Sequence, residues 1–256
     1  MTQSASADEA ATHDGPNPAQ NPARATVAEQ VAARIVTLIE ELHLRPGDVV
    51  PAEADLARRF EVNRLAVREA IRILAAREIL VSSQGRPARV TVPSSRVFGQ
   101  MLEFRLQQES LRFEDLVRAR RAIEGALAAR AAERVAEGQV TVHKAELQLA
   151  AMADEVTDPD RFIALDLAFH RELAELGGNG MLQLVLDSLG GVLLDSRRSS
   201  YTGRSRRGGG HSATIAAHRA VLDAIRRGDP AAAAAAMDDH LLDTEQDLRA
   251  AKRDER

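Results

Sequence analysis

The 256-residue sequence contains no cysteine, which removes disulfides, thiolate metal sites and cysteine nucleophiles and leaves His, Asp and Glu as the metal ligands available. No apolar run approaches the length of a membrane span, and the first 24 residues, polar, acidic and Pro-bearing, lack the apolar segment of a secretory signal. These absences lead us to expect a disordered tail over residues 1–24 on a cytoplasmic protein without a membrane partner. Lysine is nearly absent beside abundant arginine, so arginine richness alone says little about nucleic acid. The formal net charge of −4 argues against indiscriminate binding to polyanions, although the arginines are unevenly distributed.

What is present divides at residue 93. Thr26 and Glu29 form a T-x-x-E capping box ahead of Val31, Ile35, Leu38, Ile39 and Leu42, whose spacing of three and four marks one buried helical face. That helix ends near Leu44, before the Pro and Gly of residues 45–48. A short helix is expected after Pro51, carrying Leu56, Ala57 and Phe60. A three-residue break at 61–63 precedes a third helix, from about Arg64 to Arg77, with Val67, Ile71 and Leu74 turned inward. The period then changes: residues 79–81 and 90–92, around a turn at 84–87, read as a two-stranded hairpin. Residues 94–105 read as a linker and connecting helix. Beyond them the apolar spacing is helical throughout, with breaks at Gly138, 158–159, 177–180, 199–210 and 228–230. We therefore expect a mainly α protein, with a winged helix-turn-helix over residues 25–93 and an all-helical bundle of six or seven helices over 106–250. The Arg/Ser/Gly stretch from 197 to 210 reads as one long mobile loop.

Two short helices around a three-residue turn, with small Ala57 at the crossing, describe a helix-turn-helix. Its third helix presents Asn63, Arg64, Arg68 and Arg72 outward, the three arginines one turn apart on one face. Such a face suits the major groove of duplex DNA, where arginine pairs with guanine O6 and N7 or holds phosphate. Gln84, Gly85 and Arg86 at the hairpin tip are shaped to touch the adjacent backbone or minor groove. A solvated arginine-rich helix is the plainer alternative; helix-turn-helix and wing together favour DNA.

In the second half, Asp166 and His170 interrupt the apolar stripe Phe162, Leu165, Phe169, Leu173. His218 lies in register with Ile215, Leu222 and Ile225, and His240 with Met237, Leu241, Thr244 and Leu248. All four point to the core, where an unpartnered polar group costs several kcal/mol. Four separately hydrogen-bonded core residues would answer this; one shared ion, Zn, Ni, Mn or Fe, answers it for all four at once. His13, His43, His143 and His211 fall in tail, turn or exposed positions. Arg120, in register with Leu116, Ile123 and Leu127, also points inward. Its plain reading is a buried salt bridge with Glu124.

The stretch PAEADLARRFEVNRLAVREAIRIL followed by QGRPARV resembles the DNA-binding signature and wing of the GntR regulators, FadR subgroup. The segments DLVRARRAIEGALAARAA, DLAFHRELAELGGN and AHRAVLDAIRRGDPAAAAAAMDDHL resemble their FCD ligand-binding domain over about residues 106–250. The resemblance implies operator contacts by Asn63, Arg64, Arg68, Gln84 and Gly85. It also implies a metal held by Asp166, His170, His218 and His240, with Arg120 beside it, where its fork and the metal would jointly hold a carboxylate. Ala54 replaces an arginine that touches DNA in many members, and Glu61 and Glu78 stand where glycine is usual, in a left-handed conformation that costs a non-glycine residue about 1 kcal/mol. The expected protein is a homodimer on a pseudo-palindromic operator, responsive to a small carboxylate, and not an enzyme. The rivals are a metal-free regulator taking an acyl ligand and a metalloenzyme, the latter disfavoured by the lack of a second base beside the ligands.

Overall fold

The computed structural model describes residues 25–83, 86–108, 113–154, 157–208 and 210–252. The chain separates into two compact units, residues 1–93 and 94–256.

In the first unit, α1 (Val27–Glu41) starts on the capping box: the Thr26 hydroxyl accepts from the Glu29 amide, and the Glu29 carboxylate accepts from the Thr26 amide at 2.7 Å. Leu42, its C-cap, is 47% exposed and lies outside the buried face expected for it. α2 (Glu53–Phe60) and α3 (Arg64–Ala76) cross around Ala57 and Val67. Their core joins Val31, Ile35 and Leu38 of α1 to Leu56, Phe60, Ile71 and Leu74. Glu61, at the turn between α2 and α3, and Glu78, after α3, adopt φ of 56° and 55°. The chain then reverses through β1 (Leu80–Val81) and β2 (Arg89–Val90), antiparallel with Leu80 opposite Val90. Val49 adds an isolated bridge to Arg89, fastening the α1–α2 connection to the hairpin.

The second unit is all helix: α4 (Arg96–Gln107), α5 (Phe113–Ala136), α6 (His143–Asp154), α7 (Pro159–Gly177), α8 (Gly180–Ser188), α9 (Gly190–Arg206), α10 (His211–Arg226) and α11 (Pro230–Lys252). Local chemistry sets the ends of α7. Asp158 caps its start, Pro159 opens its first turn, and Gly178 leaves it in the left-handed conformation (φ 67°). The long helices α5, α7, α10 and α11 enclose a core in which Phe169, Leu173, Ile225, Met237 and Leu241 are all but inaccessible.

One expectation fails here. The segment 197–210 is not a long loop: α9 continues through Arg206, and only residues 207–210 connect it to α10. Composition suggested a loop because Ser and Gly are poor helix formers, but tertiary contacts override propensity. Arg204 and Arg207 bind Asp243 and Asp247 of α11, and Gly203 lets the two backbones approach closely.

Candidate functional site

On the first unit, Arg64, Arg68 and Arg72 all stand exposed on α3. Asn63 is half committed, since its Oδ1 caps α3 by accepting from the Ala66 amide at 2.8 Å, which leaves its amide nitrogen to face outward. Arg68 Nε rests on Glu53 Oε2 at 2.8 Å and Arg72 on Glu69 Oε2 at 3.2 Å. Both pairs are exposed, and such pairs contribute about 0–1 kcal/mol, so either guanidinium can leave its partner at little cost. Arg68, Arg72, Arg86, Glu53 and Ser83 line one groove of about 830 Å³ on this unit. Gln84 and Gly85 lie outside the described residues.

The second unit draws Asp166 and His170 of α7, His218 of α10 and His240 of α11 into one buried cluster, with a ligand atom from each within 4.8 Å of the others. The three Nε2 atoms form a triangle 3.2 Å on each side. Asp166 Oδ1 is 3.2 Å from the Nε2 of His218 and 4.0 Å from that of His170. The other imidazole nitrogen of His170, Nδ1, meets Glu124 Oε2. A carboxylate there requires Nδ1 to carry the proton, which leaves the Nε2 lone pair aimed into the triangle. Three ring nitrogens at this spacing cannot satisfy one another, because each offers a single in-plane direction and the three directions converge. A metal–nitrogen distance of about 2.0–2.1 Å separates ligand nitrogens by roughly 3.3 Å in a tetrahedron and about 3 Å on an octahedral face, and 3.2 Å lies between. The donor set fits a divalent transition metal, with His neutral and Asp ionised as ligation requires.

Two arginines flank the cluster. Arg197 of α9, 6% exposed, places Nε 2.6 Å from Asp166 Oδ2 in a buried ion pair. Arg120 of α5, wholly buried, donates Nε to Glu124 Oε1 at 2.7 Å, while neither of its terminal nitrogens finds a hydrogen-bond partner among the described residues. Both alternatives open to Arg120 are thus realised in part, with Nε on Glu124 and the fork uncommitted.

Burial and these neighbours set the ionisation states. Burial, aided by Arg197 and opposed by Glu124, pushes the His170 imidazole down to about 4. Burial, then His218 and His170, holds His240 well below its ordinary value. For Asp166 burial works upward, but Arg197 and the hydrogen bond from His218 outweigh it and keep the carboxyl well below the usual range. Glu124 is likewise held down against burial by Arg120 and His170. Burial and Arg120 bring Arg197 down to about 10, leaving it a cation at neutral pH.

Sequence reasoning placed the cluster residues inward but gave Arg197 no role, because it assigned that segment to a loop. The missed signal was Leu193, Ser196, Arg197, Ser200 and Arg204 at spacings of three and four, a helical stripe hidden by small polar residues. Glu124 was noted only as a partner for Arg120. His211, expected to be exposed, stacks on Tyr201 with centroids 3.7 Å apart and lines a cavity of about 30 Å³ shared with Asp166, Arg197 and His240. A larger cavity of about 270 Å³ lies against Glu124, His170 and Arg197, with Leu167, Leu186 and Leu193 as its apolar wall.

Comparison with known proteins gives matches in both units. Residues 27–90 match the gntR family of bacterial regulatory proteins, and residues 115–243 match the FCD domain. The chain is 30% identical over 230 residues to the HTH-type transcriptional repressor NanR of Citrobacter rodentium, covering 86% of this chain and 84% of that protein. It is 32% identical over 219 residues to the putative L-lactate dehydrogenase operon regulatory protein of Escherichia coli K12, covering 84% and 83%. Among solved structures, a GntR protein of Streptococcus agalactiae superimposes with a TM-score of 0.60 at 26% identity, covering 84% of this chain and 97% of that one.

Proposed function

Because this chain belongs to the GntR family of DNA-binding transcriptional regulators and carries an FCD effector-binding domain, we propose that a small organic acid, bound beside a divalent transition metal in the second unit, sets its affinity for operator DNA. The observation that carries this reading is the convergence of Asp166, His170, His218 and His240 beside the uncommitted fork of Arg120. The metal, Zn, Ni, Mn or Fe, would polarise and hold a carboxylate. Arg120 would grip the acid through paired N–H donors, and Arg197 would neutralise its charge at the wall shared by the two cavities.

Size favours a small acid over an acyl chain. The cavities at the cluster measure about 30 and 270 Å³, below the roughly 300–1,000 Å³ of sites that take drug-sized ligands. The relative named for an L-lactate dehydrogenase operon makes α-hydroxy acids the first class to test. At the other end, Asn63, Arg64, Arg68, Arg72, Gln84, Gly85 and Arg86 would contact the operator. Leu65, 72% exposed in the same first turn of α3, would meet a thymine methyl. A homodimer on a pseudo-palindrome would supply the contacts that one small head lacks, in keeping with the resemblance to the FadR subgroup. The acid acts by preferring one arrangement of the heads.

The test measures bound metal in untagged protein by plasma mass spectrometry alongside operator binding with a panel of small carboxylates. Near-stoichiometric metal that disappears in His218→Ala, and an operator dissociation constant that one acid changes at least tenfold, are expected. Operator binding indifferent to every carboxylate and to metal removal would overturn the sensing role.

A further inference from the structure

Glu124 touches neither the converging ligand atoms nor the free end of Arg120, yet it joins them. Its Oε1 accepts from Arg120 Nε at 2.7 Å and its Oε2 meets His170 Nδ1. All three side chains are buried, Arg120 at 0%, Glu124 at 3% and His170 at 4% exposure. Each oxygen of this carboxylate therefore serves either His170 of the cluster or Arg120, whose terminal nitrogens have no hydrogen-bond partner among the described residues.

We propose that Glu124 is a positioning residue that couples the two halves of the site, fixing His170 as the Nδ1–H tautomer for the metal and Arg120 as an open fork for the carboxylate. The proposal rests on the metal reading above and adds to it a route. A buried carboxylate that two partners share favours each when the other is in place, because the first to bind has already met the cost of ordering the side chain that both use. Metal bound at His170 Nε2 draws electron density from the ring and makes Nδ1–H a stronger donor to Glu124. Carboxylate bound by Arg120 fixes the guanidinium and with it the Oε1 end. Each ligand thereby raises the affinity of the other by the same factor, as linkage requires. Outer partners of ligating histidines change metal affinity about 10–100-fold when removed.

The experiment uses Zn²⁺ alone as probe, titrated in competition with a chromogenic chelator against full-length metal-free protein. Glu124→Gln should weaken Zn²⁺ about 10–100-fold. Arg120→Met, which removes no ligand atom, should weaken it severalfold in the wild-type background and leave it unchanged in the Glu124→Gln background, a non-additivity that a merely structural role would not produce. Independently of any variant that fails to fold, long-range ¹⁵N NMR of the metal-free wild type should show His170 protonated at Nδ1 and bare at Nε2. Unchanged Zn²⁺ affinity in Glu124→Gln, additive losses in the double variant, or a His170 proton on Nε2 would each overturn the coupling. Wild-type protein that binds no Zn²⁺ would instead remove the metal reading itself.

Discussion

Individual residues in this protein are set by what surrounds them more than by type. Of seven histidines, three share a buried cluster while His143 stands 76% exposed at a helix start. The buried ones carry a consequence for acid stability. In the metal-free chain the folded His170 holds out to about pH 4 against an ordinary value of 6.5, and His240 and His211 are shifted the same way. The unfolded chain therefore takes up protons that the folded chain refuses as pH falls from about 6.5 toward 4. The stabilisation is complete above 6.5 and is lost progressively across that window. Urea denaturation of metal-free protein from pH 7.5 to 4.5, followed by helical circular dichroism, should show the midpoint falling mainly below pH 6.5; a flat midpoint would mean that the imidazoles are not buried uncharged.

At the scale of elements, the pair α9 and α11 illustrates how packing overrules composition. A Cβ on Gly203 would sit 1.9 Å from the Asp247 carbonyl oxygen and 3.2 Å from the Ala251 amide nitrogen, both backbone atoms that cannot yield as a side chain can. Gly203→Ala, ordinarily favourable in a helix interior by 0.5–1 kcal/mol, should here destabilise by about 1–3 kcal/mol through overpacking, measurable as a lowered thermal midpoint. A raised midpoint would show that the helices do not cross at this residue. Beside it, Arg204 is held by Asp243 and Asp247, so the same turn carries both the close approach and the charges that orient it. The opposite case is α3, whose start follows directly from Asn63 as a local cap and whose apolar spacing was readable without its neighbours.

For the whole molecule, a net charge of −4 coexists with the exposed Arg64, Arg68 and Arg72 on one helix of the first unit, so DNA affinity should be electrostatic and local. Fluorescence anisotropy with operator duplex should show affinity falling steeply with salt. Arg64→Ala should weaken binding about 10–100-fold, the range of a lost base contact, and an unchanged constant would remove Arg64 from the interface. Much of this architecture is written in short-range pattern. The capping box, the helix-turn-helix spacing, the wing and the inward registers of Asp166, His170, His218 and His240 all follow from the periods of helix and strand, which any segment displays by itself. The sequence alone thus determined the helical and winged classes and the inward placing of Asp166, His170, His218 and His240. Only the tertiary structure decided that α9 is a helix, that Glu124 and Arg197 join the cluster, and that three ring nitrogens meet at 3.2 Å. Those partners lie tens of residues apart: His170 is 46 residues from Glu124 and 70 from His240. Periodicity fixes the face on which a side chain stands, but pairing across helices depends on how the helices pack, and charge and close backbone contact there outweigh local propensity.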